Sequence, residues 1–133
     1  MSSLYLDASA ITKLVIAEAE THALQDRALG RSLVSSRVAV VEVTKAVARA
    51  NPTADAQPVL ARLAFVEVDA ELARIAAATG GAILRSLDAI HLASAQRLGR
   101  EIDAFVTYDD RQAAAAQDLG LAVESPGRDR VAG

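Results

Sequence analysis

The stretch Leu4-Tyr5-Leu6-Asp7-Ala8-Ser9-Ala10 runs a short apolar strand into an acid and then into a helix. Ile11, Leu14 and Val15 continue it at helical spacing, with Ser9 as a candidate cap. The same order returns near the C-terminus. There Phe105-Val106-Thr107-Tyr108 reads as a strand, Asp109 follows it, and an alanine-rich helix over 110–119 ends at Gly120. Strand, acid and helix at both ends of the chain are the marks of an α/β domain with a central parallel sheet.

The intervening segments fit that reading. A helix is expected from about Glu20 to Leu29, stopped by Gly30, then a strand over Ser32-Leu33-Val34-Ser35. Ser35 or Ser36 is placed to cap a helix reaching Ala50, closed by Asn51-Pro52. Residues 54–63 read as a short helix with Pro58 near its first turn, where proline is tolerated. Phe65-Val66-Glu67-Val68 alternates as a strand, and Asp69 is placed to cap Ala70 to Thr79 before Gly80-Gly81. A helix over 86–98, capped by Ser86 and stopped by Gly99, precedes the closing strand–helix pair, and Leu121-Ala122-Val123 forms a last strand. Residues 1–125 make one domain, and 126–133 read as a mobile tail.

At 133 residues the chain is large enough for one real core and too short for two domains. Aromatics are 3% of it, so the core is aliphatic. Without cysteine, disulfides, thiolate zinc sites and cysteine nucleophiles are excluded. No apolar run approaches the ~20 residues a membrane span needs, which makes the cytoplasm the expected setting. The net charge of −3 speaks against a basic nucleic-acid binder, but clustered catalytic acids also lower the total. Gly80-Gly81 lacks the following lysine of a phosphate-binding loop, and there is no G-x-S-x-G elbow.

Four acids sit where a fold disfavours charge: Asp7, Glu42 among Val38 to Val43, Asp88 in Leu87-Asp88-Ala89-Ile90-His91-Leu92-Ala93, and Asp109. Ligands of an open parallel sheet bind at the C-terminal ends of its strands, near a switch in strand order. Adjacent strands lie ~4.8 Å apart, so acids on neighbouring ends can share an ion. Leu84, Leu87, Asp88, His91, Leu92, Ala95 and Leu98 share one helical face, so that helix is expected to be largely buried. Two like charges 4 Å apart repel by about 4 kcal/mol at an effective dielectric constant of 20. Three or four such acids therefore need protons, basic neighbours or a hard cation, and all-oxygen ligands select Mg²⁺ or Mn²⁺.

Each acid also has a purely structural alternative. Asp7 and Asp109 could cap the helices that follow them, Glu42 could pair with Lys45 or face solvent, and Asp88 could serve only the helix dipole. His91 reads as a helix histidine satisfied by a neighbouring side chain or carbonyl, and His22 as exposed. Ser9 and Thr107 flank the acids closely enough to bond a carboxylate, or act only as a cap and a β-former.

Together these motifs resemble the PIN-domain ribonucleases, more narrowly the VapC-type toxins of prokaryotic toxin–antitoxin pairs. Leu4 to Ala10 with Lys13-Leu14 is similar to the family's opening strand and first acid, and Val41-Glu42-Val43 to the second. Leu87 to Ala93 is similar to the third motif, and Val106-Thr107-Tyr108-Asp109-Asp110-Arg111 to the fourth. The Asp109-Asp110 doublet leaves two candidates for the last acid, of which Asp109 is preferred, and the helical segment over 50–63 is short for the family. The resemblance implies a three-layer α/β/α domain, often a homodimer, cleaving RNA with Mg²⁺ or Mn²⁺. Its catalytic and metal-binding residues would be Asp7, Glu42, Asp88 and Asp109, with Asp7 and Asp88 holding the principal ion. It also implies a small VapB-type antitoxin that blocks the site. The rivals are a receiver-like signalling domain with an acceptor aspartate, which normally carries a second acid after the first strand and a late lysine, and a catalytically silent binding module. A dehalogenase-like phosphatase is disfavoured because Asp7-Ala8-Ser9 lacks a second aspartate.

Overall fold

Side-chain alternation along β1 (Ser3–Leu6) sorts the molecule into two faces. Leu4 and Leu6 enter a core with Ile11, Leu24, Val43 and Val47, whereas Tyr5 enters another with Leu92, Ala95, Phe105 and Ala116. The computed structural model describes residues 3–128. After β1 come α1 (Ala8–Val15), α2 (Thr21–Ala28), β2 (Ser32–Ser36), α3 (Val38–Ala50), α4 (Gln57–Leu60) and β3 (Leu63–Val66). The second half carries α5 (Ala70–Ala78), α6 (Ser86–Leu98), β4 (Ile102–Val106), α7 (Asp110–Asp118) and β5 (Val123–Glu124).

The strands lie in the order β3-β2-β1-β4-β5, every pairing parallel. The chain works outward from β1 to β3, then crosses back to β4 on the other side of β1. The order therefore reverses beside the central strand, opening a crevice at the C-terminal ends of β1 and β4. Helices α1 to α4 pack together on one face, while α6 and α7 contribute Leu92, Ala95 and Ala116 to the other. Helix α5 lies against α6 through Leu72, Ala76, Ala89 and Ala93. This is the expected three-layer α/β/α arrangement.

Several boundaries differ from the sequence reading. The third strand ends at Val66, because Glu67 turns outward to pair with Arg37 and Val68 is left exposed. The fourth ends at Val106, so Asp109 lies beyond a short loop and the residue following the strand is Thr107. Helix α1 starts earlier than a Ser9 cap requires, since the Asp7 carboxylate already accepts from the Ala10 N–H. At α6 and α3 the cap positions fall on Arg85 and Arg37, not on the serines; Ser36 Oγ accepts from the Val38 N–H at 3.3 Å. Asp69 caps α5 as expected, through the Leu72 N–H. Leu87, placed on the buried face by its spacing, is 45% exposed because it stands at the open end of α6.

The turn between α5 and α6 depends on glycine. Gly80 has φ +74°, and a Cβ there would lie 2.4 Å from Leu84 Cδ2. At the other end, the Tyr108 hydroxyl donates to the Pro126 carbonyl at 2.8 Å, and Arg128 Nη1 donates to the Tyr108 carbonyl at 2.8 Å. The chain is thus tied to the domain as far as Arg128, and the remainder of the tail, 129–133, lies outside the described residues. Among the described residues no helix is long and apolar enough to cross a membrane.

Hydrogen bonds from Arg97 and from the Leu72 N–H hold the Asp69 carboxyl below its usual range. A depressed folded-state pKa contributes stability above the unfolded value, about 3.9, and loses it as pH falls through the folded value. Asp69→Ala is therefore expected to lower the melting temperature at pH 7, with the deficit shrinking below pH 4. Thermal melts of both proteins across that range check it.

Candidate active site

Asp7, Glu42, Asp88 and Asp109 all line one cavity of about 260 Å³, together with Ser9, Arg85, Leu87 and His91. Asp7 follows β1, Glu42 lies on α3, Asp88 in the first turn of α6, and Asp109 at the cap of α7. The cavity opens at the crevice where the strand order reverses. Asp110, the other member of the doublet, does not line it.

Asp7 is the deepest of the four, at 4% exposure. Its Oδ1 accepts from Ser9 Oγ at 2.6 Å and from the Ala10 N–H at 3.1 Å, and its Oδ2 accepts a short bond from the Thr107 hydroxyl. The sheet register produces the last contact: Leu6 pairs with Val106, so the next residues, Asp7 and Thr107, stand side by side. Burial pushes the Asp7 carboxyl above its usual range, opposed by nearby His91, the two hydroxyls and the Ala10 N–H. The capping alternative is therefore true of this residue, which also lines the cavity.

Glu42 does not pair with Lys45. Its Oε1 lies 2.7 Å from His91 Nε2, and the Tyr5 hydroxyl lies 2.7 Å from His91 Nδ1. His91 is 1% exposed, and both ring nitrogens are engaged by side chains. Tyr5 stacks on Phe105 with centroids 5.1 Å apart, and burial drives its phenol pKa far upward, so it keeps its hydrogen. The neighbours that satisfy His91 thus include one of the four acids. Its i,i+3 spacing from Asp88 was the available signal; Tyr5, two residues before Asp7 on the same strand, gave none.

Arg85 closes the cavity. Its Nε donates to Asp88 Oδ2 at 3.2 Å and its Nη2 to Asp109 Oδ2 at 3.3 Å, while Asp109 Oδ1 accepts from the Arg111 and Gln112 N–H groups. The Arg85 side chain is 63% exposed, so these long contacts are screened by solvent and readily exchanged. Sequence reasoning missed it, although it stands i,i+3 from Asp88. Gln112 Nε2 reaches the Asp88 carbonyl at 3.4 Å and ties α7 to α6.

The donor set is all oxygen and suits a hard divalent cation in preference to zinc. As arranged, no acidic or histidine trio among the described residues stands close enough to hold an ion. The reason is visible in the contacts: Arg85 occupies Asp88 and Asp109, His91 holds Glu42, and hydroxyls hold Asp7. Coordination at Asp88 and Asp109 would require the exposed Arg85 to move off both. The residues fit a hard cation on those terms.

A larger groove of about 860 Å³ runs from the cavity between α1 and α3, sharing Ala8, Ser9, Glu42 and Leu87 with it. Its walls include Val38 and Val41, and its cations are Lys13, Lys45, Arg49 and Arg128. Lys13 is buried and paired with Glu18 and Glu20, whereas Lys45 and Arg49 are exposed. Burial raises the neighbouring Tyr108 phenol to about 12.

An open parallel sheet with carboxylates from four separate elements at its switch point defines the class: an α/β domain of the PIN type. The PIN-domain family model matches residues 4–118, and the chain belongs to that family. Among curated relatives it is 43% identical to ribonuclease VapC35 of Mycobacterium tuberculosis, over 96% of this chain and 99% of that protein. It is 42% identical to ribonuclease VapC46 of the same organism, over 95% of this chain and 99% of that one. The fold matches the crystal structure of M. tuberculosis VapC20, a sarcin–ricin loop cleaving toxin, with a TM-score of 0.69 at 17% identity, covering 85% of this chain and 95% of that one.

The raised pKa of Asp7 carries a stability consequence. A folded-state pKa above the unfolded value means that the metal-free protein loses stability as pH rises through the folded value. With chelator present, Asp7→Asn is expected to melt higher than the unsubstituted chain at pH 7, and the gap should close toward pH 4. Parallel melts in EDTA at the two pH values check this.

Proposed function

We propose that this VapC-type chain is a Mg²⁺- or Mn²⁺-dependent endoribonuclease, the toxin of a toxin–antitoxin pair, hydrolysing RNA phosphodiester bonds at the four-acid cavity. The observation that carries the reading is the meeting of Asp7, Glu42, Asp88 and Asp109, spread across the chain, in one cavity at the sheet's switch point. Asp7 and Asp88 would hold the principal cation, with Glu42 and Asp109 completing the cage. When bound, the cation activates water and stabilises charge on the phosphate oxygens.

The chain's own groups do the rest. Ser9 and Thr107 fix the Asp7 carboxylate beside the strand ends. Arg85, 63% exposed at the mouth, would be free to contact a phosphate once released from Asp88 and Asp109. Lys45 and Arg49 line the adjoining groove, where flanking phosphates would run. No histidine base is needed: His91 is buried with both nitrogens engaged. A receiver-like role is disfavoured because β1 is followed by Asp7 without a second acid beside it, and no lysine occurs beyond Lys45. The VapB-type antitoxin, a homodimeric state and a cytoplasmic setting belong to the same proposal and follow from the family reading.

Two measurements test it. Asp88→Asn should abolish RNA cleavage in Mg²⁺ or Mn²⁺ while leaving the melting curve intact; cleavage at the unsubstituted rate, or cleavage unaffected by EDTA, contradicts the proposal. Arg85→Gln should tighten Mn²⁺ binding several-fold by calorimetry, because it removes the cation competing for Asp88 and Asp109.

A further inference from the structure

We infer that His91 is a positioning residue for Glu42, itself held in place by Tyr5, so that the acid is fixed at the cavity wall. The inference rests on the four-acid reading above. Three elements carry the chain of contacts: Tyr5 on β1, His91 on α6 and Glu42 on α3, with both links at 2.7 Å. Helices α3 and α6 lie on opposite faces of the sheet, so the contact joins the two outer layers across its rim.

The hydrogen facing Glu42 follows from the donors and acceptors. Tyr5 is fully buried, edge-on to His91 at 5.8 Å and 83°, and stacked on Phe105, so its hydroxyl has a fixed direction. A phenol is protonated at neutral pH, and a buried O–H requires an acceptor. The adjacent Ser35 and Ser94 hydroxyls donate to the Leu6 and Ile90 carbonyls at 2.6 and 2.7 Å, so neither donates to the Tyr5 oxygen, which lies 2.7 Å from His91 Nδ1. At 2.7 Å from the Glu42 carboxylate, Nε2 carries a hydrogen and donates it to Oε1. The reverse tautomer would aim a lone pair at a carboxylate.

The consequence falls on Glu42. Its flexible arm is anchored through one oxygen, leaving Oε2 to serve the cavity. An outer group that donates to a ligating side chain and sets its orientation typically changes metal affinity by about 10–100-fold when removed. His91 itself would touch neither substrate nor reacting atoms; it acts through Glu42.

Imidazole ¹⁵N NMR of the full, metal-free chain reads the tautomer directly. The chain has two histidines, and the other, His22, has its side chain 86% exposed, so the signals are separable. Hydrogen on Nε2 is expected at His91; a ring with hydrogen on Nδ1 alone overturns the inference. Mn²⁺ calorimetry then tests the coupling with Tyr5→Phe, which removes only the hydroxyl. Tyr5→Phe should weaken Mn²⁺ binding by about tenfold in the native background and by nothing further in Glu42→Gln. Equal losses in both backgrounds would show that Tyr5 and His91 do not act through Glu42. A native chain that takes up no Mn²⁺ counts against the proposed function, and the NMR result then decides the tautomer by itself.

Discussion

A carboxylate buried at the end of the central strand is the constraint around which this domain is arranged. Asp7 stands 4% exposed where the sheet's order reverses, and a charge there is unfavourable without partners. The neighbours answer that demand from several directions. The β4 register brings the Thr107 hydroxyl alongside, α1 offers the Ser9 hydroxyl and the Ala10 N–H, and His91 approaches from α6. Burial still outweighs them. A buried acid at the crevice where ligands of open parallel sheets bind is a candidate for function that folding alone does not explain.

The other three acids are neutralised differently according to depth. Glu42 is half-shielded and held by a buried imidazole; Asp88 and Asp109 lie nearer the mouth and share an exposed guanidinium. The inner link is short and enclosed, so it orients. The outer one is long and solvated, so it can exchange for a cation or a phosphate. One cavity thus combines a fixed wall with a displaceable charge at its opening.

Much of this was legible in the sequence, for identifiable reasons. Aliphatic strands separated by glycine-stopped helices declared the parallel sheet, and acids inside apolar runs stood out because four local explanations were needed where one shared site sufficed. Strand limits were less legible. Thr107 and Tyr108 are good β-formers, yet the chain leaves the sheet after Val106 to carry Asp109 to the α7 cap. Arg85 was lost among many arginines. The Tyr5–His91–Glu42 link joins residues 86 and 49 positions apart, so it depends on packing that no local pattern encodes. The serine caps failed for a simpler reason: at α1 the carboxylate of Asp7 had already taken the position.

Anomalous diffraction from crystals grown in Mn²⁺ tests the central claim most directly. The account requires a Mn²⁺ peak in the four-acid cavity, within about 2.2 Å of carboxylate oxygens of Asp7 and Asp88, with the Arg85 guanidinium moved off Asp88. Saturating Mn²⁺ that leaves the cavity without a peak, or places the ion away from Asp7 and Asp88, would contradict it.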